Sequence, residues 1–390
     1  MNAQLLHTDV QEYIDQHLTS DPANLILKGS PFKTLTIQEL VEQIESKNRA
    51  RLKLPTWFNT KSIYYPNKLN LSQSSSEQTA AYKSGIISGT SLVDLTGGFG
   101  VDSYYFSKQF SEVISCEIDQ NLAKIVRYNF KQLGCKVEVV SENGLDYLKR
   151  LKTKVDWIYL DPSRRSNTKQ KVFLLEDCSP NIIMNKSLLF QYSDHILVKV
   201  SPLLDIHDAI EKLTDVCEVH CVAVSNEVKE LLLVLKKHYK GAVALKTVDI
   251  KKTELVTFDA LYGTAAKAQF SLPKSYLYEP NAAVLKAGLF NQVSSELNLY
   301  KIHNNSHLYT NEKLIDFPGR RFKILHESTY DAKKIKRLIP EKKAHITTRN
   351  FPDSVAQIRK KIKFSEGGDH YLFFTTNIND RLIVLICEKL

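Results

Sequence analysis

Short apolar runs separated by charged stretches fill the middle of the chain, at 92–95, 113–118, 137–140, 155–160, 195–200, 217–224 and 231–236. Each run has strand length, and most intervals between them have room for one helix. The pattern predicts a parallel sheet covered on both faces by helices. Only Ser225 to Glu230 joins the last two runs, too little for a helical crossover, so that pair is expected to be antiparallel. Residues 1–73 predict a mostly helical region, in which Thr36 and Glu39 stand at capping-box spacing ahead of Leu40, Val41 and Ile44 on one face. The stretch 52–70, with Pro55 and Pro66, reads as an irregular connection, and Ser74 with Glu77 as the cap of the helix before the first strand. Beyond about 240 the character changes. Alternation at 241–250, 371–375 and 381–387, with helical stretches at 281–287, 332–338 and 354–362, predicts a small α+β domain. The expected organisation is therefore a helical region over 1–73, an α/β domain over 74–240 and an α+β domain over 241–390.

The strand ends carry the chemistry. Asp94 closes the first run and leads into Thr96-Gly97-Gly98-Phe99-Gly100, a turn that lets backbone approach a ligand closely. Glu117 closes the second run, seventeen residues after Gly100, about one strand-helix-strand unit away. The third run leads to Asn143, and the fourth to Asp161-Pro162-Ser163-Arg164-Arg165. Acids at the carboxyl ends of adjacent parallel strands describe a nucleoside-binding crevice, with Glu117 placed to accept from ribose hydroxyls. A dinucleotide fingerprint would need a glycine at 103, counting from Gly98; that residue is Ser103, which favours a ligand without a pyrophosphate.

Residues 74–236 resemble the class I S-adenosylmethionine-dependent methyltransferases, whose first motif runs from an acid through two spacers to a glycine cluster. The resemblance implies a seven-stranded sheet ending in a hairpin and S-adenosyl-L-methionine as cofactor. It implies that Asp94, Gly97, Gly98 and Gly100 hold the cofactor's amino-acid part and Glu117 its ribose. Asn143 stands where the family usually has an Asp facing the adenine amino group. Asp161 and Pro162 match the fourth motif beside the transferred methyl, so Asp161 counts with both the cofactor and the catalytic residues. Enzymes of this fold that methylate exocyclic amines usually continue with a second Pro and an aromatic; here Ser163, Arg164 and Arg165 follow. Arg164, taken with the catalytic set, and Arg165 could hold a substrate phosphate or stack on a base. Alternatively, one of them pairs with Asp161 or Glu176. Lys199, near the end of an apolar strand, could reach the site, although a rim lysine that snorkels is the plainer reading; Trp157 and Tyr159 read as core. Farther on, Glu279 to Ala283, Phe317 to Phe322 and Thr348 to Pro352 resemble a bacterial methyltransferase group, best known in Bacteroidetes, with a THUMP-like C-terminal region.

Charge completes the expectation. Between Arg320 and Lys363 stand fourteen Lys and Arg against four acids, a surplus equal to the whole chain's net charge of +10. A localised basic segment suits a phosphate backbone. It names Arg320, Arg321, Arg349, Arg359, Lys360 and Lys361 as RNA contacts beside Arg164 and Arg165, with Phe322, Phe351 and Tyr371 available for stacking. A solvated amphipathic face is the plainer alternative. The expected activity is methylation of RNA, ribosomal or transfer; the alternatives are a small-molecule or protein methyltransferase, and a non-catalytic RNA-binding protein. Six cysteines without a C-x-x-C pair predict free thiols and no metal site. No apolar run has membrane-spanning length and the N-terminus lacks a signal-peptide plan, so a cytoplasmic protein is expected. The sequence leaves the oligomeric state open.

Overall fold

The computed structural model describes residues 1–164 and 174–390, and the chain divides into two compact units: Met1–Glu218 with Leu231–Gly241, and Val219–Glu230 with Ala242–Leu390. The first unit contains β1 (Ser91–Asp94), β2 (Glu112–Cys116), β3 (Val137–Val140), β4 (Trp157–Leu160), the two-residue strands β5 (Ser163–Arg164) and β6 (Cys178–Ser179), and β7 (His195–Val200). It shares with the second unit the hairpin strands β8 (Val216–Val224) and β9 (Glu227–Lys236). The strand order is β3-β2-β1-β4-β7-β9-β8, parallel from β3 to β7, with β9 antiparallel to β7. These seven strands follow the expected plan, but the sheet does not end there: two further strands, residues 244–250 and 255–261, extend it past β8 to nine. Ser225 and Asn226 close the hairpin at φ 51° and 66°, the paired positive angles of a type I′ turn, whose twist matches that of the strands. Strand order reverses direction at β1, which places a crevice at the carboxyl ends of β1 and its neighbours.

The N-terminal residues form helices at Thr8–Gln16, Pro22–Lys28 and Ile37–Lys53, the last opened by the reciprocal Thr36–Glu39 capping box. The stretch 52–70 is more regular than its prolines suggest. Pro55 occupies the first turn of a helix, Pro55–Asn59, where its missing N–H costs nothing, and a further helix follows at Lys68–Gln73. The reason is tertiary. Trp57 on the short helix is fully buried in one cluster with Phe99, Val101, Val126 and Phe130, so the N-terminal region packs on the sheet's own helices. Tyr64 adds a paired hydrogen bond, its N–H donating to Asn129 Oδ1 at 2.9 Å and its carbonyl accepting from Nδ2 at 2.8 Å.

In the second unit β10 (Ala244–Ile250) and β11 (Leu255–Leu261) pair antiparallel beside the outer part of the hairpin. A second sheet follows from β12 (Gln269–Phe270), β13 (Tyr276–Pro280), β14 (Tyr300–Lys301), β15 (Tyr309–Asn311), β16 (Gly319–Thr329), β17 (His345–Arg349), β18 (His370–Thr376) and β19 (Leu382–Lys389). Its order is β12-β14-β15-β13-β16-β19-β18-β17. Alternation builds a core on each face. Phe373 and Leu385 pack with Leu277 and Phe322, whereas their neighbours Phe374 and Val384 pack with Ile335 and Ile358 of the helices Ala332–Leu338 and Val355–Ile362. Phe322 is therefore a core residue and not a stacking platform, because its place in β16 points it into the sheet's interior.

Truncating Trp57 to Ala would remove the centre of the contact between the N-terminal helices and the sheet. Trp57→Ala is expected to lower unfolding stability by about 3–5 kcal/mol, read from urea titration; a loss within experimental error would show that the N-terminal helices are dispensable to this unit.

Candidate cofactor and substrate site

The tip of β1 is built around a buried carboxylate. Asp94 is 1 % exposed; its Oδ1 accepts the Thr96 N–H at 2.9 Å and its Oδ2 the Ser103 hydroxyl at 2.6 Å. Burial pushes the Asp94 carboxyl up to about 7, against those two hydrogen bonds. The Thr96 hydroxyl also accepts the Asp161 N–H at 2.7 Å, so one threonine ties the loop after β1 to the loop after β4. Thr96 went unread in the sequence because its role depends on the neighbouring strand.

The glycine turn is required by its surroundings at two places. A Cβ on Gly97 would lie 2.3 Å from Ser115 Oγ, and one on Gly100, at φ +80°, would meet Phe130 and Val126 at 2.6 and 2.8 Å. Gly98 differs. It has positive φ, with little beyond the Thr96 carbonyl near its missing Cβ, and its N–H donates to Glu117 Oε2 at 2.8 Å. Glu117 Oε1 accepts the Asp119 N–H at 2.7 Å, and burial raises the Glu117 pKa. Each oxygen keeps a lone pair for a further donor. Asn143 is exposed and caps the helix Gly144–Arg150, its Oδ1 accepting the Leu145 N–H at 2.9 Å. Asn caps as well as Asp does, which explains how Asn can stand here.

Asp161 is half-buried and its carboxylate is paired with Lys199 of β7, while Pro162 is buried. Lys199 therefore reaches the site instead of snorkelling away from it. The parallel register sets Leu160 beside Val198, so Lys199 emerges level with Asp161. Neither acid expected to engage Arg164 or Arg165 is free for that purpose alone: Asp161 holds Lys199, and Glu176 holds Lys212 at 2.7 Å. Arg165 lies outside the described residues, as does the Arg164 side chain.

Beneath these groups lies a second layer. Lys83, on the helix Glu77–Gly85, is fully buried and stands 3.2 Å from Asp102 Oδ1. Asp102 Oδ2 accepts from Ser75 Oγ and Tyr159 OH, both at 2.8 Å. Burial alone would raise the Asp102 pKa, but the Lys83 and Lys199 charges and the two hydroxyl donors hold it below the usual value. The helix begins two residues later than the Ser74–Glu77 reading: Ser76 is the cap, and Glu77 instead accepts from Thr56 and Tyr105.

Comparison with known proteins decides the family. The chain is 32 % identical to a protein of Porphyromonas gingivalis W83 assigned as a methyltransferase, whose crystal structure it matches over 100 % of this chain and 98 % of that one at a TM-score of 0.89. Residues 276–318 match a ferredoxin-like domain model and residues 319–389 a THUMP domain-like model. The chain belongs to the class I S-adenosylmethionine-dependent methyltransferases with a THUMP-like C-terminal domain. A class I S-adenosylmethionine-dependent methyltransferase of Listeria monocytogenes aligns with 62 % of this chain and 93 % of its own at 12 % identity and TM-score 0.38. M. capricolum TrmK bound to S-adenosyl-homocysteine aligns with 41 % and 68 % at 12 % identity and TM-score 0.32. At such scores neither bears on the activity here. No curated protein matches the chain.

S-Adenosylmethionine is the cofactor of this methyltransferase family. The loop fits it: Gly98 leaves backbone open to an approaching ligand, and Glu117 retains acceptor capacity. In the THUMP-like domain the predicted basic contacts divide. Arg320 and Arg349 both grip Glu279, whose side chain is 4 % exposed; Arg321 pairs with Asp316, and Arg359 with Glu366. Lys360 and Lys361 are exposed on Val355–Ile362, packed beside Ala332–Leu338 with its exposed Lys333, Lys334 and Arg337. The outward charge of the methyltransferase's basic segment thus lies on this helix pair and on the exposed Lys323, Lys342, Lys343 and Lys363 outside it. Glu279 could not be foreseen as partner because it stands outside the segment in sequence. Among the described residues no cluster fits a metal ion, and no helix is long and apolar enough to cross a membrane.

Two outcomes follow from the buried charges. Asp94 titrates near 7 in the fold against an ordinary 3.8, so between those values the folded protein holds a proton the unfolded chain has released. Stability of the ligand-free enzyme should therefore fall as pH rises from 5 to 7, with a slope of at most about 1.4 kcal/mol per pH unit, and level off above; Asp94→Asn should flatten that slope in urea titrations. Lys83→Met would leave Asp102 buried without its cation, at an expected cost of about 3–5 kcal/mol by the same measurement. Lys83→Met with Asp102→Asn should recover part of that loss.

Proposed function

We propose that this enzyme methylates RNA, ribosomal or transfer, with the exposed cations of its THUMP-like domain holding the phosphate backbone. The observation that carries the reading is the pairing of Asp161 with Lys199 beside the Asp94 loop, in a chain whose surplus charge is confined to one segment. When bound, S-adenosylmethionine supplies an electrophilic methyl group on a sulfonium. Asp94 with Gly97, Gly98 and Gly100 would hold its amino-acid part, Glu117 its ribose hydroxyls and Asn143 its adenine edge. Asp161 and Pro162 would border the methyl, with Arg164 and Arg165 toward the substrate.

The Asp161–Lys199 pair supplies one acceptor and one cation at a single point. Such a pair can orient a hydroxyl or amine nucleophile, accept its proton at the carboxylate and stabilise the developing negative charge. Orientation matters most, because methyl transfer is an in-line displacement. The absence of an aromatic after Pro162 removes the base platform typical of exocyclic amine methylation.

A second reading, a small-molecule or protein substrate, is favoured by one observation: Arg320, Arg321, Arg349 and Arg359 are already paired with acids of the same compact unit. Salt separates the two. RNA affinity carried by phosphate contacts should decline steeply with salt, with a log–log slope of about −0.7 per contact on single strands; a flat response would favour the second reading.

The decisive comparison is a mass-spectrometric nucleoside inventory of RNA from parent and deletion strains, where one methylated nucleoside is expected to disappear. RNA from the deletion strain then serves as substrate in vitro. Lys199→Met should lower turnover there by about 100-fold or more while S-adenosyl-homocysteine affinity changes little. Unaltered turnover would remove Lys199 from the reaction. Glu117→Ala should do the reverse, weakening S-adenosyl-homocysteine by about tenfold in calorimetry.

A further inference from the structure

A cavity of about 440 Å³ opens in the second unit, lined by Gln292, Phe290, Lys301, Asn304, Asn305 and His307 among others. Its floor carries an uncompensated charge. Lys301 is 1 % exposed, and among the described residues no carboxylate lies within ion-pairing distance of it. Its Nζ donates to the Asn304 carbonyl at 2.9 Å and lies 5.9 and 6.0 Å from the ring centres of Phe270 and Phe290. One carbonyl uses one of three N–H donors. Burying an ammonium without a counter-ion is costly, and the cost appears as a lowered Lys301 pKa caused by desolvation.

The wall beside Lys301 is equally unfinished. His307 stacks on Phe290 with ring centres 3.6 Å apart, and its Nδ1 is buried without a hydrogen-bond partner. Burial first, then the Lys301 and Arg349 charges, pull the His307 pKa down to about 4, so the ring is neutral at pH 7 and the local field is positive. Side-chain amides of Asn291, Gln292, Asn304 and Asn305 surround the opening. An ammonium with two spare donors, an unpartnered ring nitrogen and the Asn291 and Asn305 amides line a pocket of positive field, which suits an anion with several acceptor oxygens. A volume of this size suits a mononucleotide.

We propose that this cavity binds a phosphate monoester of about mononucleotide size, with Lys301 as its counter-ion. The phosphate could belong to a free nucleotide or to the 5′ end of an RNA chain; the chemistry is the same, and every residue lining the cavity belongs to the second unit. Phosphate oxygens would take the two spare Lys301 donors and restore charge balance in the cavity.

The test is calorimetry on the full chain saturated with S-adenosyl-homocysteine, so that the cofactor crevice is filled. The probes are 5′-UMP, uridine, inorganic phosphate, and a uridine trinucleotide with and without a 5′-phosphate. Binding of 5′-UMP or of the phosphorylated trinucleotide, with dissociation constants of about 1 mM or tighter and no binding by the unphosphorylated partner, is expected. If only 5′-UMP binds, the source is a free nucleotide; if the phosphorylated trinucleotide binds at least as well, it is an RNA end. Lys301→Met should weaken binding by about tenfold or more with cofactor affinity unchanged. Asn305→Asp, at an exposed position that leaves the buried lysine in place, should weaken it as well by adding a negative charge at the rim. Equal binding of uridine and 5′-UMP, no binding of either phosphorylated probe, or unchanged binding in both variants would overturn the proposal.

Discussion

The fold turns on the desolvated carboxylate of Asp94. It sits at the end of the sheet's central parallel strand with almost no contact with water, and it is tolerated because Thr96 and Ser103 satisfy both of its oxygens. Those two partners do more than solvate it. Thr96 begins the glycine turn and also fixes the loop after β4, while Ser103 lies in the helix that follows the turn. One buried charge therefore sets the relative positions of the loop, the helix and the acid at 161.

Charge alternates outward and inward from that point. Asp161 is matched by Lys199, and Asp102 by Lys83, whereas Asp94 and Glu117 rely on neutral donors. A buried ion pair seldom adds much net stability, but losing one partner is expensive. The arrangement consequently favours a fixed geometry over a deep energy well. That geometry is what an in-line transfer needs, since such a reaction is sensitive to small errors in distance and direction.

Much of this was legible in the chain. Seven apolar runs of strand length appear as strands within a few residues, because a sheet buried on both faces leaves little room for ambiguity in apolar periodicity. Glycines 97 and 100 could be recognised because both occur where any side chain would collide with neighbours. What escaped was long-range pairing. Lys199 looked like a rim lysine until the register of β4 and β7 set it level with Asp161, and Arg320 and Arg349 looked available until Glu279 came between them. The prolines at 55 and 66 suggested irregularity, yet burial of Trp57 organises the segment more strongly than local preference does.

The β8–β9 ribbon has a genealogical corollary. The chain departs the first compact unit after Glu218 and re-enters it at Leu231, so the last strand of the catalytic sheet is threaded through residues counted with the other unit. A clean genetic break near position 240 would keep the first unit whole but strip the second of residues 219–230. A first unit exchanged between relatives would carry those residues with it, so the second unit would have to accept its share of the hairpin from the incoming gene.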